Sequence, residues 1–348
     1  MTGRTYLDWN ATTPLRAEAR AAMVAAMDVA GNPSSVHGEG RAAKATIERA
    51  RAQVAAALGA EGADIVFTSG ATEAAALAMA GRGLATADVE HEAVLAWGAG
   101  GLTADAHGRV MVPDPEGASL QLANSETGVV QDLPNGLAVS DLTQGFGKMP
   151  FAFNWLGVTM GLVSAHKLGG PMGVGALVVK RGTDVAAQLR GGGQEMGRRA
   201  GTENVIGIAG FGAAAGAAAR DLAVGVWDKV AGLRDQLETA LLDIAPDAVI
   251  AGEGAARLPN TTNIRVAGWK GETQVMQMDL AGFAISAGSA CSSGKVRASR
   301  VLRAMGCDDL AAASAIRVSL GPSTTYEDTM RFAEAWGREY RRFRAKAA

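Results

Sequence analysis

Between residues 64 and 180, short apolar runs alternate with small-residue, helix-like stretches, and glycines mark most of the junctions. This alternation constrains the fold more than any other feature, because strands separated by helices pair in parallel and need cover on both faces. Strands are expected over 64–67, 119–123, 137–141, 160–164 and 175–180, with a helix over 72–80. After residue 219 the character changes. Leu222, Val226, Val230, Leu233, Leu237 and Leu241 fall at helical spacing and predict one amphipathic helix over 222–244. Strands over 261–266 and 316–320 and a basic-ended helix over 325–344 follow. The pattern predicts a large α/β domain with a mainly parallel sheet over 15–220, and a smaller α+β domain from 1–14 and 221–348.

Charge and composition exclude several classes. The 33 Lys+Arg against 35 Asp+Glu leave a net charge of −2, too small to drive binding to nucleic acid or an anionic membrane. No uninterrupted apolar stretch reaches the ~18 residues of a membrane span, and residues 205–219, the nearest candidate, are mostly Ala and Gly and read as a closely packed helix. Residues 1–14 lack a basic-then-apolar signal pattern, so a cytoplasmic location is expected. Two cysteines make no disulfide framework, and with four histidines they offer no zinc spacing.

Two segments carry chemistry. In Phe67-Thr-Ser-Gly-Ala-Thr-Glu73 a glycine turn joins a strand to a helix, and free N–H groups with the hydroxyls of Ser69 and Thr72 would form an anion cup. Taken alone, a Ser/Thr N-cap followed by Glu accounts for the same residues. No Gly-Lys-Ser/Thr follows, and Gly210, Gly212 and Gly216 do not match a dinucleotide fingerprint. The second segment places Lys167 between His166 and a Gly-rich turn, just past a buried strand. A desolvated lysine sheds its proton and becomes competent to form a Schiff base. Asp141 ends the preceding strand and Gln144 lies three residues on. Pyridoxal phosphate needs a lysine for its aldehyde, a carboxylate for its ring nitrogen and a cup for its phosphate, and these residues supply all three at strand ends.

Tyr6-Leu-Asp-Trp-Asn-Ala-Thr-Thr-Pro14, Gly31-Asn-Pro-Ser-Ser35, Phe67-Thr-Ser-Gly-Ala-Thr-Glu73, Val89-Glu-His-Glu-Ala-Val94, Ser164-Ala-His-Lys167, Gly201-Thr-Glu-Asn204, Ser289-Ala-Cys-Ser292 and Arg317-Val-Ser-Leu-Gly321 resemble the cysteine desulfurases of the NifS/IscS type. These are class V aminotransferase relatives with the type I fold of pyridoxal-phosphate enzymes. The resemblance implies Lys167 as the Schiff-base lysine, Asp141 as partner of the ring nitrogen, Gln144 on the ring hydroxyl and His91 stacked on the ring. It places Ala71, Thr72, Ser164 and His166 around the phosphate, with Thr202 reaching it from the other subunit of a homodimer, and Arg317 on the substrate carboxylate. Cys291, among Gly and Ser with Lys295, Arg297 and Arg300 behind it, would be the thiol that takes sulfur from L-cysteine and passes it to an acceptor protein for iron–sulfur clusters or thiolated cofactors. Cys307 reads as packing. Ser125 stands where the family has a second asparagine on the cofactor, which implies a lost or water-mediated hydrogen bond. Another class V reaction (an aminotransferase, or a selenocysteine or kynurenine lyase) and an inactive cofactor-binding scaffold remain alternatives.

Overall fold

The computed structural model describes residues 3–288 and 298–347. In chain order its strands are β1 (Thr5–Tyr6), β2 (Asp64–Thr68), β3 (Thr86–Ala87), β4 (Gly101–Leu102), β5 (Val139–Asp141), β6 (Met160–Ser164), β7 (Gly175–Val179), β8 (Val249–Ile250), β9 (Thr261–Arg265), β10 (Phe283–Ala284) and β11 (Ala315–Ser319). The helices are α1 (Ala17–Met27), α2 (Gly38–Leu58), α3 (Ala71–Met79), α4 (Glu92–Leu95), α5 (Val205–Ala223), α6 (Val226–Ile244), α7 (Gly271–Leu280), α8 (Arg300–Ala304), α9 (Asp309–Ala313) and α10 (Tyr326–Ala347).

The central sheet runs β2-β7-β6-β5. β5 and β6 are parallel, whereas β7 is antiparallel to both β6 and β2, so one strand runs against an otherwise common direction. Beyond β5, parallel bridges Ser119–Val139 and Ala85–Ala118 continue that direction. Residues 119–123 form isolated bridges instead of the expected continuous strand. One edge pairs with β5 through the N–H groups of Leu120 and Leu122, but the Gln121 N–H is captured by the Glu90 carboxyl instead of a neighbouring strand.

The helix layer follows from side-chain spacing. Along α2, Ala43, Ile47, Ala50, Val54 and Leu58 fall on one buried face, His37 caps the start by accepting from Gly40 N, and left-handed Gly59 ends it. Helix α5 lies against α1 and α2, and a Cβ at Gly212 would come within 2.6 Å of Ala50 Cα, so this contact requires glycine. Phe211, fully buried beside it, meets Phe67 and Phe146 edge-on at 6.3 and 6.5 Å. Burying one such ring stabilises the fold by roughly 1.5–3 kcal/mol.

The single helix expected over 222–244 is broken: α5 carries Leu222, Val224 and Gly225 interrupt, and α6 begins at Val226. A second buried cluster joins Leu7, Trp227, Leu237, Ile264, Ile316, Phe332 and Trp336. There β11-β9-β8 form an antiparallel sheet and β1 pairs with β10. Bridges Asp8–Ser319 and Ser286–Arg317 tie these strands together and bring Asp8, Ser286 and Arg317 to one place.

Candidate active site

Strand β6 ends at Ser164, and the chain tightens into a 3₁₀ turn over Ala165–Lys167. The Lys167 Nζ donates to the carbonyl oxygens of Asn10 at 2.7 Å and Ala11 at 2.8 Å. Burial, then the positive charge of Arg317, push the amine down to about 8, against the opposing pull of Asp141 and Asp8. A buried lysine held on neutral carbonyls is an amine poised to react near neutral pH.

The turn between β2 and α3 lies beside β6. Gly175 pairs with both Thr68 and Ser164, and a Cβ there would meet Gly70 Cα at 2.7 Å and the Val163 carbonyl at 2.6 Å, so glycine lets the α3 start approach the end of β6. The expected Ser/Thr cap is absent. Gly70 is the N-cap residue and no side chain caps it, while Glu73 turns back to accept from Ser69 N at 2.8 Å. Among the described residues the Ala71 and Thr72 N–H groups therefore have no acceptor, and neither do the hydroxyls of Thr72 and Ser164. Burial pushes the Glu73 carboxyl up, but hydrogen bonds from Arg199 and Ser69 outweigh it and hold the group below its ordinary value. His166, with Nδ1 3.2 Å from Thr12 Oγ1, is lowered to about 4 by burial and then by Lys167, Lys148 and His91. It is neutral at pH 7 and keeps one ring N–H to donate.

Asp141 ends β5 and accepts from Thr143 N through Oδ1, leaving Oδ2 without a partner among the described residues. His91 caps α4 by accepting from Ala93 N at Nδ1, and Nε2 has no partner among the described residues. Gln144 is engaged at both ends: Nε2 donates to Asn10 O and Oε1 accepts from Lys148 Nζ. One Nε2 hydrogen remains for a ligand.

Arg317 on β11 is 6% exposed, and its Nη2 pairs with Asp8 Oδ1 at 2.7 Å while Nη1 donates to the Ser125 carbonyl at 3.0 Å. Its Nε is buried with no acceptor among the described residues. An orphaned guanidinium N–H in a closed site is suited to an incoming carboxylate. Ser125 thus contributes its backbone carbonyl. The other oxygen of Asp8 accepts from Ser286 Oγ. Cys291 lies outside the described residues. The segment before it is anchored by Ser286 on Asp8, and the segment after it by Ser299 on buried Glu126. Cys307 is a half-buried free thiol packed against the core, as expected. Thr202 is exposed and lines a separate hollow with Leu189, Arg190 and Gly201, so this chain alone does not bring it to Lys167.

Four residues of the site carried no assignment from sequence: Asp8, Asn10, Glu90 and Lys148. Each is buried or partly buried and bonds across long stretches of chain, Lys148 to Asn10 over 138 positions. The signal was a charged or amide side chain inside an apolar context, such as Lys148 after Gly145-Phe-Gly147. The donor set fits pyridoxal phosphate: a reactive amine, a carboxylate oxygen to spare, and open N–H and hydroxyl groups for a phosphate.

A fold with one reversed strand, a lysine turn after β6 and open N–H and hydroxyl groups at the start of α3 points to one class of enzyme. The aminotransferase class-V family model matches residues 5–99 and 98–332, and the chain belongs to that family. More closely, it is 39% identical to a cysteine desulfurase of Cereibacter sphaeroides over 95% of this chain and 94% of that protein. The NifS-like protein from Rickettsia africae superposes with a TM-score of 0.87 at 32% identity, covering 97% of this chain and 99% of that one. SspA, solved in complex with cysteine, matches with a TM-score of 0.75 at 27% identity, over 92% of this chain and 100% of that one.

Proposed function

We propose that this chain is a cysteine desulfurase that uses pyridoxal phosphate to take sulfur from L-cysteine, releasing L-alanine and leaving a persulfide on Cys291. The observation that carries the reading is a buried Lys167 amine, lowered to about 8, in one site with a free Asp141 oxygen and the orphaned Nε of Arg317. Similarity to a protein solved with cysteine supports the substrate. Pyridoxal phosphate, when bound, supplies the covalent anchor for the substrate amine and an electron sink. Asp141 would pair with its ring nitrogen, Gln144 with its ring hydroxyl, and Ala71, Thr72, Ser164 and neutral His166 would hold its phosphate, with His91 beside the ring. Arg317 receives the substrate carboxylate at Nε. The Lys167 amine would take the proton from the carbon that bears the amino group and return it.

The Cys291 thiolate then attacks the substrate sulfur. A sulfur–sulfur bond forms, the carbon–sulfur bond breaks, and the electron pair stays on the three-carbon skeleton, which gains a proton to become alanine. The persulfide passes to an acceptor protein for iron–sulfur clusters or thiolated cofactors. Thr202 reaches the phosphate of the partner in a cytoplasmic homodimer. The test is the loaded protein with L-cysteine and dithiothreitol: sulfide and alanine in equal amounts are expected, and a keto acid or no sulfide would contradict the reading.

A further inference from the structure

Lys148, in the turn that follows β5, is 2% exposed. Its Nζ donates to Gln144 Oε1 at 2.7 Å and Asn10 Oδ1 at 3.0 Å, and both acceptors are neutral amides. Among the described residues it forms no ion pair. The charged groups that act on it are Lys167, in the turn after β6, and Arg317, on β11, both positive, and Lys148 in turn acts on His166. A neutral amine has two N–H donors, which matches the two acceptors. An ammonium would bury a third N–H without a partner, beside two cations.

Asn10 is the hub. Its Oδ1 also accepts from Asn260 Nδ2, its Nδ2 donates to Thr261 Oγ1 and the Ser125 carbonyl, and its own carbonyl accepts from both Lys167 Nζ and Gln144 Nε2. Moving Lys148 therefore moves the carbonyl on which the Lys167 amine rests.

We propose that Lys148 is an uncharged positioning residue: its two N–H bonds fix Asn10 and Gln144, and through the Asn10 carbonyl they aim Lys167. Burial, followed by the charges of Lys167 and Arg317, holds its amine well below the ordinary value, in the same direction as the geometry. The charge state stands alone, whereas the role toward Lys167 rests on the proposed desulfurase reading.

The experiment uses the full ligand-free chain with lysine Cε labelled by ¹³C, where the eight lysines give a tractable spectrum. The Lys148 resonance is assigned by its loss in Lys148→Met, or in Lys148→Gln should the first variant not fold. A neutral-amine shift at pH about 8 is expected, and an ammonium shift persisting to about pH 10, where ordinary lysines begin to titrate, would overturn the proposal. In the loaded protein, Lys148→Met and the permanently charged Lys148→Arg should both lower kcat by about tenfold or more, with KM for L-cysteine within about threefold of wild type. Rescue of kcat by Arg would overturn the uncharged role, and an unchanged kcat in both variants would overturn the positioning. Wild-type protein that releases no sulfide would defeat the proposed function while the labelled amine still decides the charge of Lys148.

Discussion

Arg51 and Arg317 each pair with a carboxylate across distant parts of the chain, and they differ in what is left over. Arg51 grips Glu195 through Nη1 at 2.8 Å and Nη2 at 2.9 Å, reaches Glu48 through Nε, and donates to the Ile65 carbonyl. Glu195 in turn accepts from Phe67 N, so every polar atom of the pair is used. The clasp holds Glu195 and Met196 at φ of 47° and 59°, a left-handed backbone that non-glycine residues adopt only under such constraint. Arg317 has its own carboxylate in Asp8, yet among the described residues its Nε has no partner. A saturated guanidinium fastens two pieces of chain, whereas an unsaturated one is ready for a ligand.

The largest effect is expected at the unsaturated arginine. Arg317→Ala should lower kcat/KM for L-cysteine by about a hundredfold or more, chiefly through KM, because it removes a charge-assisted carboxylate contact. Loss of kcat with unchanged KM would show that the carboxylate is held elsewhere. Arg51→Ala should do the reverse. Breaking a buried pair from one side costs about 3–5 kcal/mol of stability, read as a lower denaturation midpoint, while KM in the surviving folded protein stays near wild type. An equal loss of KM in both variants would erase the distinction.

A third expectation concerns pH. The Lys167 amine has a folded value of about 8 against roughly 10.4 for an unfolded lysine. Between those values the unfolded chain binds more protons, so stability from this group rises with pH; the penalty of burying the amine is full below about 8 and fades toward 10.4. Lys167→Met should therefore be more stable than wild type at neutral pH, with an advantage that shrinks as pH climbs. A pH-independent gap between the two urea midpoints would refute the lowered amine. The smallest effect is expected at Ser286→Ala, which deletes one hydrogen bond to Asp8 and leaves the Arg317–Asp8 pair intact. A loss of about 1 kcal/mol is expected in urea unfolding, and a loss as large as that of Arg51→Ala would place Asp8 among the fastening carboxylates.

What was legible in the sequence was local. The strands at 64–68 and 160–164 and the closing helix stand where hydrophobic spacing puts them, because period and burial are properties of neighbouring residues. The reversed direction of β7 was not legible, since an apolar run of five residues reads alike in either direction. The break at Val224 and Gly225 leaves no mark in the pattern, because the apolar spacing continues through it. At the site, motif order pointed to Lys167, Asp141 and Arg317, and the charges of Asp141 and Arg317 both act on the Lys167 amine. The hub itself was hidden: Asn10 joins Lys148, Gln144, Lys167, Asn260 and Thr261 from segments 134 to 251 positions away, and no local pattern carries such contacts.

The most direct measurement is a mass spectrum of peptides from the loaded protein after a brief exposure to L-cysteine without reductant. The peptide containing Cys291 should gain one sulfur atom, and borohydride treatment of a parallel sample should leave the cofactor attached to Lys167. Sulfur appearing on Cys307 instead, or a cofactor reduced onto any other lysine, would contradict it.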